Sequence, residues 1–264
     1  MRIRMAAGSS TGRVRKVNQD NFILDGQSLP RDHGDFAPLS KVCAEERPLL
    51  VGVFDGMGGY AAGEEASYIT AQTALALSGK PHAGAAELLT EICMEANRRV
   101  CAFGNGSPTG STAAMLHLEG GKYTLCNIGD SPIFLLRERM LTQLSVDHTQ
   151  RAMYERLRGT PAEPGRKFPL TQHIGIPEEE LLIEPYLAGG PLKPGDTFLL
   201  CSDGVTDLLT REEILTVLFK EPSPHEMVRT LIRRAMDAGG RDNITAVCVQ
   251  VESGKNPLLR LFRK

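Results

Sequence analysis

The apolar run Leu49-Leu50-Val51-Gly52-Val53-Phe54 is too short for a typical helix and carries β-branched residues, so it predicts a buried strand. It stops at Asp55. Gly56, Gly58 and Gly59 follow, then small residues that suit a helix packed close to its neighbours. Upstream, residues 2–24 alternate and then break, which predicts two strands joined at 8–12. The polar interruption Asn18-Gln19-Asp20-Asn21 precedes Phe22-Ile23-Leu24. Residues 26–48, with Pro30, Gly34, Pro38 and Pro48, predict a surface loop. Beyond the glycines, helices are predicted at 63–77 and 83–103. In the second, Leu88, Leu89, Ile92, Ala96, Val100 and Phe103 recur at three- and four-residue spacing.

From Gly110 the period turns to two. Strands are predicted at 111–118, 123–130 and 132–138, and Gly120-Gly121 supplies the positive φ that a tight hairpin turn needs. Residues 145–180 are polar and proline-bearing, an excursion over the surface with one short helix at 150–157. Strands return at 181–187 and 196–203, helices at 211–219 and 224–238, and a last strand at 243–251. Helices arrive in pairs rather than between every two strands, which disfavours a doubly wound parallel sheet. The pattern predicts an α+β fold in which two mostly antiparallel sheets pack together with helices outside.

Composition adds exclusions. With 264 residues, 41% hydrophobic and 23% charged, the chain can bury a substantial core, and a net charge of −2 gives no reason to invoke nucleic acid. Six cysteines form no C-x-x-C pair and several sit in apolar runs, which suits reduced thiols in a cytoplasmic protein better than a disulfide frame or zinc site. No run approaches eighteen apolar residues and no signal peptide is evident, so neither a membrane span nor export is expected.

The candidate chemistry lies in aspartates at strand boundaries. Asp55 ends one apolar strand, Asp130 follows YTLCNIG, Asp203 follows DTFLLCS, Asp242 opens the last strand, and Asp20 sits in the first polar interruption. Each alone is an ordinary turn residue. Together, if the strand ends converge, they would raise one another's pKa unless a cation sat between them. An all-oxygen set selects Mg²⁺ or Mn²⁺ over zinc or copper. Two such ions about 3.5–4 Å apart activate a water shared between them. Arg15, five residues before Asp20 in a strand-like segment, is either an exposed strand cation or a guanidinium fork for two phosphate oxygens. Metals with one arginine suit phosphoryl hydrolysis.

The segments RKVNQD, VFDGMGGYAAGEEAS, GSTAA, NIGDS, LLCSDGVTDLL and GGRDNIT, in this order over residues 8–251, resemble the metal-dependent protein phosphatases of type 2C, the bacterial kind in particular. The resemblance implies a four-layer αββα sandwich, with a catalytic domain at 1–252, a flap at 145–180 and a basic tail at 253–264. It implies two Mn²⁺ or Mg²⁺ ions, with a third more weakly held. The activity implied is hydrolysis of phosphoserine and phosphothreonine on proteins, by in-line attack of a water bridging the two ions. Arg15 falls on the phosphate-binding arginine and Asp55 on the metal-bridging aspartate, the two catalytic positions. Gly56 falls on the glycine that ligates through its carbonyl, Asp203 and Asp242 on the remaining first-metal ligands, and Asp20 on the residue that holds metal-bound water. Asp130 with Asp203 falls on the third site. The partners implied are phosphorylated proteins and a Ser/Thr kinase whose signalling is reversed, with the enzyme a monomer.

There are departures from the pattern. Met57 stands where many eukaryotic members carry a histidine proposed as general acid, so the leaving alkoxide takes its proton elsewhere, from metal-bound water or from His148. Gln19 replaces a common glutamate, and Pro132 a common arginine. Two other readings remain: a small-molecule phosphomonoesterase or diesterase using the same site, and a non-catalytic module of the same fold. The module would have lost Arg15 or a ligand aspartate, and none is missing. The tail, with Lys255, Arg260, Arg263 and Lys264 among leucines, suits either an anionic surface or a frayed end.

Overall fold

Strand-period sequence dominates the first sixty residues and builds β1 (Arg2–Ser10), β2 (Asp20–Leu24), β3 (Gln27–Ser28), β4 (Phe36–Ala44) and β5 (Leu49–Gly58). Two long helices follow, α1 (Gly63–Ser78) and α2 (Ala85–Gly104). Then come β6 (Thr109–Ser111), β7 (Ala113–Glu119), β8 (Lys122–Ile128), β9 (Ile133–Arg137), β10 (Met140–Gln143) and α3 (Gln150–Arg158). The last third holds β11 (Tyr186–Pro191), β12 (Thr197–Cys201), α4 (Asp203–Thr206), α5 (Arg211–Lys220), α6 (Pro224–Asp237) and β13 (Ile244–Glu252). The computed structural model describes residues 1–44, 47–58, 62–159 and 168–252; the basic tail expected at 253–264 lies outside them.

The strands form two sheets, ordered β10-β9-β12-β13-β1-β4 and β11-β8-β7-β5-β2-β3, with β6 pairing the far end of β5. Every ladder between them is antiparallel. Side-chain alternation explains the layering. On β5, Val51 and Val53 point between the sheets, where they meet Phe22, Leu116, Phe198 and Val249. Leu50 and Phe54 point the other way, against Ala66 and Ala71 of α1 and Leu89 and Ile92 of α2. The opposite sheet buries Leu199, Ala246 and Cys248 against Ile214 of α5 and Leu231 of α6. The result is the αββα sandwich, and each fully buried large apolar side chain contributes about 1.5–3 kcal/mol.

Several boundaries differ from the sequence reading, for physical reasons. β1 continues through Gly8-Ser9-Ser10 because its hydroxyls find partners: Ser9 Oγ lies 2.7 Å from Thr245 Oγ1, and Ser10 Oγ donates to Asp35 Oδ1 at 2.9 Å. The connection is therefore 11–19, and Arg15 sits on a loop rather than in a strand. β4 occupies part of the predicted loop 26–48; it is an edge strand, the place in a sheet where a proline such as Pro38 is tolerated, and its register with β1 shifts between Ala7 and Ser9. The strand predicted at 181–187 begins only at Tyr186, after Pro185, and forms the other sheet's edge. β10 was hidden because its turn uses Glu138 and Arg139 at φ 52° and 66°, a glycine-like conformation without glycine. The Gly120-Gly121 hairpin forms as read, at φ 56° and 73°.

The excursion at 145–180 is tied at its base. Gln150 N–H donates to Pro169 O at 3.0 Å and Thr171 N–H to His148 O at 2.8 Å, so the segment leaves and returns side by side. Its helix α3 is capped by Thr149 and buries no residue. Among the described residues no helix is long and apolar enough to cross a membrane.

Candidate metal centre

The strand at the heart of the sandwich does not end at Asp55. It runs on to Gly58, and Asp55 continues the inward-facing column of Val51 and Val53 to the rim between the sheets. On β2, Phe22 and Leu24 face inward, so Asp20 points into the same seam. The register sets Asp20 directly opposite Asp55. Like charges facing each other across strands destabilise a sheet unless something neutralises them.

Asp242 and Asp203 arrive from the opposite sheet, and small residues allow the approach. A Cβ on Gly204 would stand 1.9 Å from Asn243 O, so the start of α4, which opens on Asp203, packs directly on the residue after Asp242. Gly12, at φ 81°, passes so close that a Cβ would meet Asp242 O at 2.3 Å. Asn243 then stitches the 11–19 loop down: Nδ2 donates to Thr11 O and Val17 O at 2.9 and 3.0 Å, and Oδ1 accepts from Gln19 N–H at 2.9 Å. This places Arg15 over Asp242, its guanidinium donating to Oδ2 at 2.7 Å while half its side chain remains exposed. Asp55 and Asp203 lie within the field of the same guanidinium and help to raise its pKa, after the Asp242 hydrogen bond.

Gly56 is fixed by space. Its N–H donates to Gln19 O at 3.1 Å, and a Cβ there would stand 2.1 Å from Gly63 O and 2.4 Å from Gln19 O. Thr112 holds the other side: its N–H donates to Asp55 O at 2.8 Å and its Oγ1 accepts from Asp55 N–H at 3.0 Å. The same Oγ1 lies 2.6 Å from Ser131 Oγ, which ties the Asp55 strand to the turn carrying Asp130.

The electrostatics are those of crowded acids. Burial first, then the neighbouring charges Asp20, Asp203, Asp130 and Asp242, push the Asp55 carboxyl well above the usual range. Asp20, 1% exposed, is pushed up to about 7 by burial, although a Ser202 hydroxyl donates to its Oδ2 at 2.8 Å. Its Oδ1 is buried without a hydrogen-bond partner. Asp130 rises to about 7 through burial and the charge of Asp203. An orphaned carboxylate oxygen beside an all-oxygen donor set fits a hard divalent cation. Among the described residues no three His, Cys, Asp or Glu side chains enclose a single point by themselves.

Residues outside the predicted set also belong here. Asp147 and Asp207 line a depression of about 190 Å³ together with Asp130 and Asp203. Burial lifts the Asp147 carboxyl to about 6. Asp207 lies one helical turn beyond Asp203 in LLCSDGVTDLL, a spacing legible in the sequence; Asp147, in a loop, gave no such signal. His148 is not an exposed loop residue. Its Nδ1 accepts from Gly129 N–H at 3.2 Å, and burial lowers its pKa, so it is a neutral brace for the Asp130 turn. Gln19 donates from Nε2 to Glu64 Oε2 at 3.1 Å, a contact that a glutamate at 19 would turn into repulsion.

The sequence pattern of the family described as Stage II sporulation protein E (SpoIIE) matches residues 45–252. Over 264 aligned residues the chain is 31% identical to the serine/threonine protein phosphatase PstP of Mycobacterium tuberculosis, covering 94% of this chain and 45% of that protein. Over 260 residues it is 28% identical to the serine/threonine phosphatase stp of Listeria monocytogenes, covering 90% and 92% respectively. A solved structure of the catalytic domain of PstP in complex with two manganese ions superposes with a TM-score of 0.76 at 28% identity, covering 96% of this chain and 100% of that one. The chain spans about half the length of PstP.

Proposed function

The chain belongs to the SpoIIE and type 2C family of bacterial metal-dependent phosphatases, and on that footing we propose that it hydrolyses phosphoserine and phosphothreonine on proteins. The observation that carries the reading is the convergence of Asp20, Asp55, Asp203 and Asp242 on one rim beneath Arg15. Asp55, Asp203, Asp242 and the Gly56 carbonyl would hold two Mn²⁺ or Mg²⁺ ions, with Asp20 positioned by Ser202 behind them and Asp130 with Asp203 bounding a third, weaker position. Bound there, the ions supply Lewis acidity and an activated water.

The chain's own residues do the rest. Arg15 stays half-exposed at the mouth, where its fork can take two oxygens of a phosphate presented by a protein surface. Met57 carries no proton, and His148 is neutral with Nδ1 already accepting from Gly129, so protonation of the leaving alkoxide falls to water at the site. Residues 1–252 form the catalytic unit and 145–180 its flap. In this reading it acts as a monomer, opposite a Ser/Thr kinase. The described cysteines Cys93, Cys101, Cys126, Cys201 and Cys248 are all free thiols, which supports a reducing, cytoplasmic setting.

The test is phosphate release from a phosphothreonine peptide by purified protein with Mn²⁺, expected to stop with EDTA and return with excess metal. Turnover of p-nitrophenyl phosphate or a diester without turnover of the peptide would favour the small-molecule reading. No turnover of any of them would leave a non-catalytic module. Arg15→Ala is expected to raise KM for the phosphopeptide about tenfold while retaining part of kcat, since it removes one charge-assisted bidentate contact and no ion.

A further inference from the structure

A cavity of about 440 Å³ opens beside Met57, walled by Pro108, Ile176 and Pro177, with Glu180 at its edge. We propose that this cavity receives a lysine or arginine side chain of the substrate, flanking the phosphoresidue, so that phosphoproteins with a nearby basic residue are the preferred class. The proposal rests on the phosphatase reading above and deepens it.

Position comes first. Asp55 and Met57 are two residues apart on β5 and therefore face the same side, about 7 Å apart along the strand. An extended substrate advances about 3.3–3.6 Å per residue, so the cavity is within reach of a side chain two or three positions from the phosphate.

The cavity is also built rather than incidental. Its far wall is the segment 173–177, laid against β6 through paired hydrogen bonds between Ser111 and Ile174 at 3.0 and 2.8 Å. Two glycines allow that contact. A Cβ on Gly110 would meet His173 Nδ1 at 2.6 Å, and one on Gly175, at φ 104°, would meet Thr109 O at 2.3 Å. Asn97 of α2 then clamps the wall: Oδ1 accepts from Gly175 and Ile176 N–H at 2.7 and 3.1 Å, and Nδ2 donates to Ile176 O at 2.9 Å. A pre-ordered wall costs a ligand little reorganisation on binding.

The chemistry selects the occupant. The walls are mostly apolar, with Ser107, Thr109 and His173 as their polar side chains besides Glu180, and no lysine or arginine lines them among the described residues. Glu178, Glu179 and Glu180 follow on an exposed turn, where Glu180 N–H donates back to Pro177 O at 2.9 Å. Their combined charge reaches the cavity, adding to burial in raising the pKa of the Cys101 thiol on its lining. A long aliphatic stem with a cationic end matches apolar walls under an acidic edge. A neutral or acidic residue would leave that edge unmatched or repelled.

The test compares phosphothreonine peptides that differ only in carrying lysine, alanine or glutamate two or three positions from the phosphate. They are assayed with Mn²⁺ on the wild type, on the triple variant Glu178→Gln, Glu179→Gln, Glu180→Gln, and on Glu180→Lys. The readout is the ratio of kcat/KM for the lysine peptide over the alanine peptide. The wild type should favour lysine by about fivefold, the effect of one partly screened ion pair, and the preference should shrink with added salt. The triple variant should bring the ratio to about one, and Glu180→Lys should shift preference toward the glutamate peptide. A wild-type ratio near one, or a preference that survives in the triple variant, would overturn the inference while leaving the phosphatase reading intact. Absence of turnover of every peptide and of p-nitrophenyl phosphate would overturn both.

Discussion

Asp55→Asn is expected to lower Mn²⁺-dependent turnover of a phosphothreonine peptide by about 10³-fold or more, because it removes the carboxylate that faces every other acid in the cluster. The same substitution is expected to leave the EDTA-treated protein at least as stable as the wild type at pH 7. Asp55 is held well above its ordinary pKa by burial and by four neighbouring aspartates, so its ionised form opposes folding when no cation is present. An asparagine keeps the backbone contacts with Thr112 and removes the charge. A residue whose role was merely structural would behave in the opposite way, losing stability along with activity. Phosphate release and thermal melting in EDTA, measured on the same preparation, separate the two.

Gly56→Ala is expected to be nearly as damaging by another route. The added methyl would sit 2.1 Å from Gly63 O and 2.4 Å from Gln19 O, and both obstacles are backbone rather than flexible side chain. Either α1 or the 11–19 loop must move. The first shift displaces β5 against its helix, and the second displaces Arg15 and Asp20. A stability loss of about 3 kcal/mol is expected, the upper end for overpacking, with turnover down at least about 100-fold because misplacement by an ångström is costly to a positioned site. Denaturant melts and phosphopeptide assays check both. A glycine without such contacts, Gly84 at the start of α2, offers the control: a Cβ there meets nothing within 4 Å.

Which parts of this were legible in the sequence follows from the physics of each element. Strands buried on both faces announce themselves as apolar runs, so β5, β8, β12 and β13 were readable, as were α1, α2, α5 and α6 from their spacing. Edge strands were less so. β4 carries Pro38 and read as loop, while β11, which ends in Gly189-Gly190-Pro191, was read as a strand placed too early, at 181–187. Turn glycines found the β7–β8 hairpin, whereas the β9–β10 turn at Glu138-Arg139 carried no such sign.

At the site, each aspartate was visible as a strand-end residue, but its convergence with the others depended on contacts that no local pattern records. The glycine approaches at 12, 56 and 204 and the Asn243 stitches are of that kind. Arg15 was found for its spacing and misplaced for its structure, since a loop was needed to swing it over Asp242. The supporting residues Thr112, Ser131 and Ser202 went unread because a buried hydroxyl beside a strand end looks like any other small residue until its partner is in place.

The central claim is that acids brought together from distant parts of the chain are tolerable only with divalent ions among them. Melting of the EDTA-stripped protein from pH 5 to pH 8, repeated with Mn²⁺, tests it directly. Asp20 and Asp130 rise from an ordinary 3.8 to about 7 on folding. Between those values the folded protein holds protons that the unfolded chain has released, so stability of the stripped protein should fall as pH rises through that window. Mn²⁺ binds the ionised folded site, so it should raise the melting temperature strongly at pH 8 and little at pH 5. A stripped protein whose melting is flat or rising across this range, and which Mn²⁺ does not stabilise at pH 8, would contradict the account.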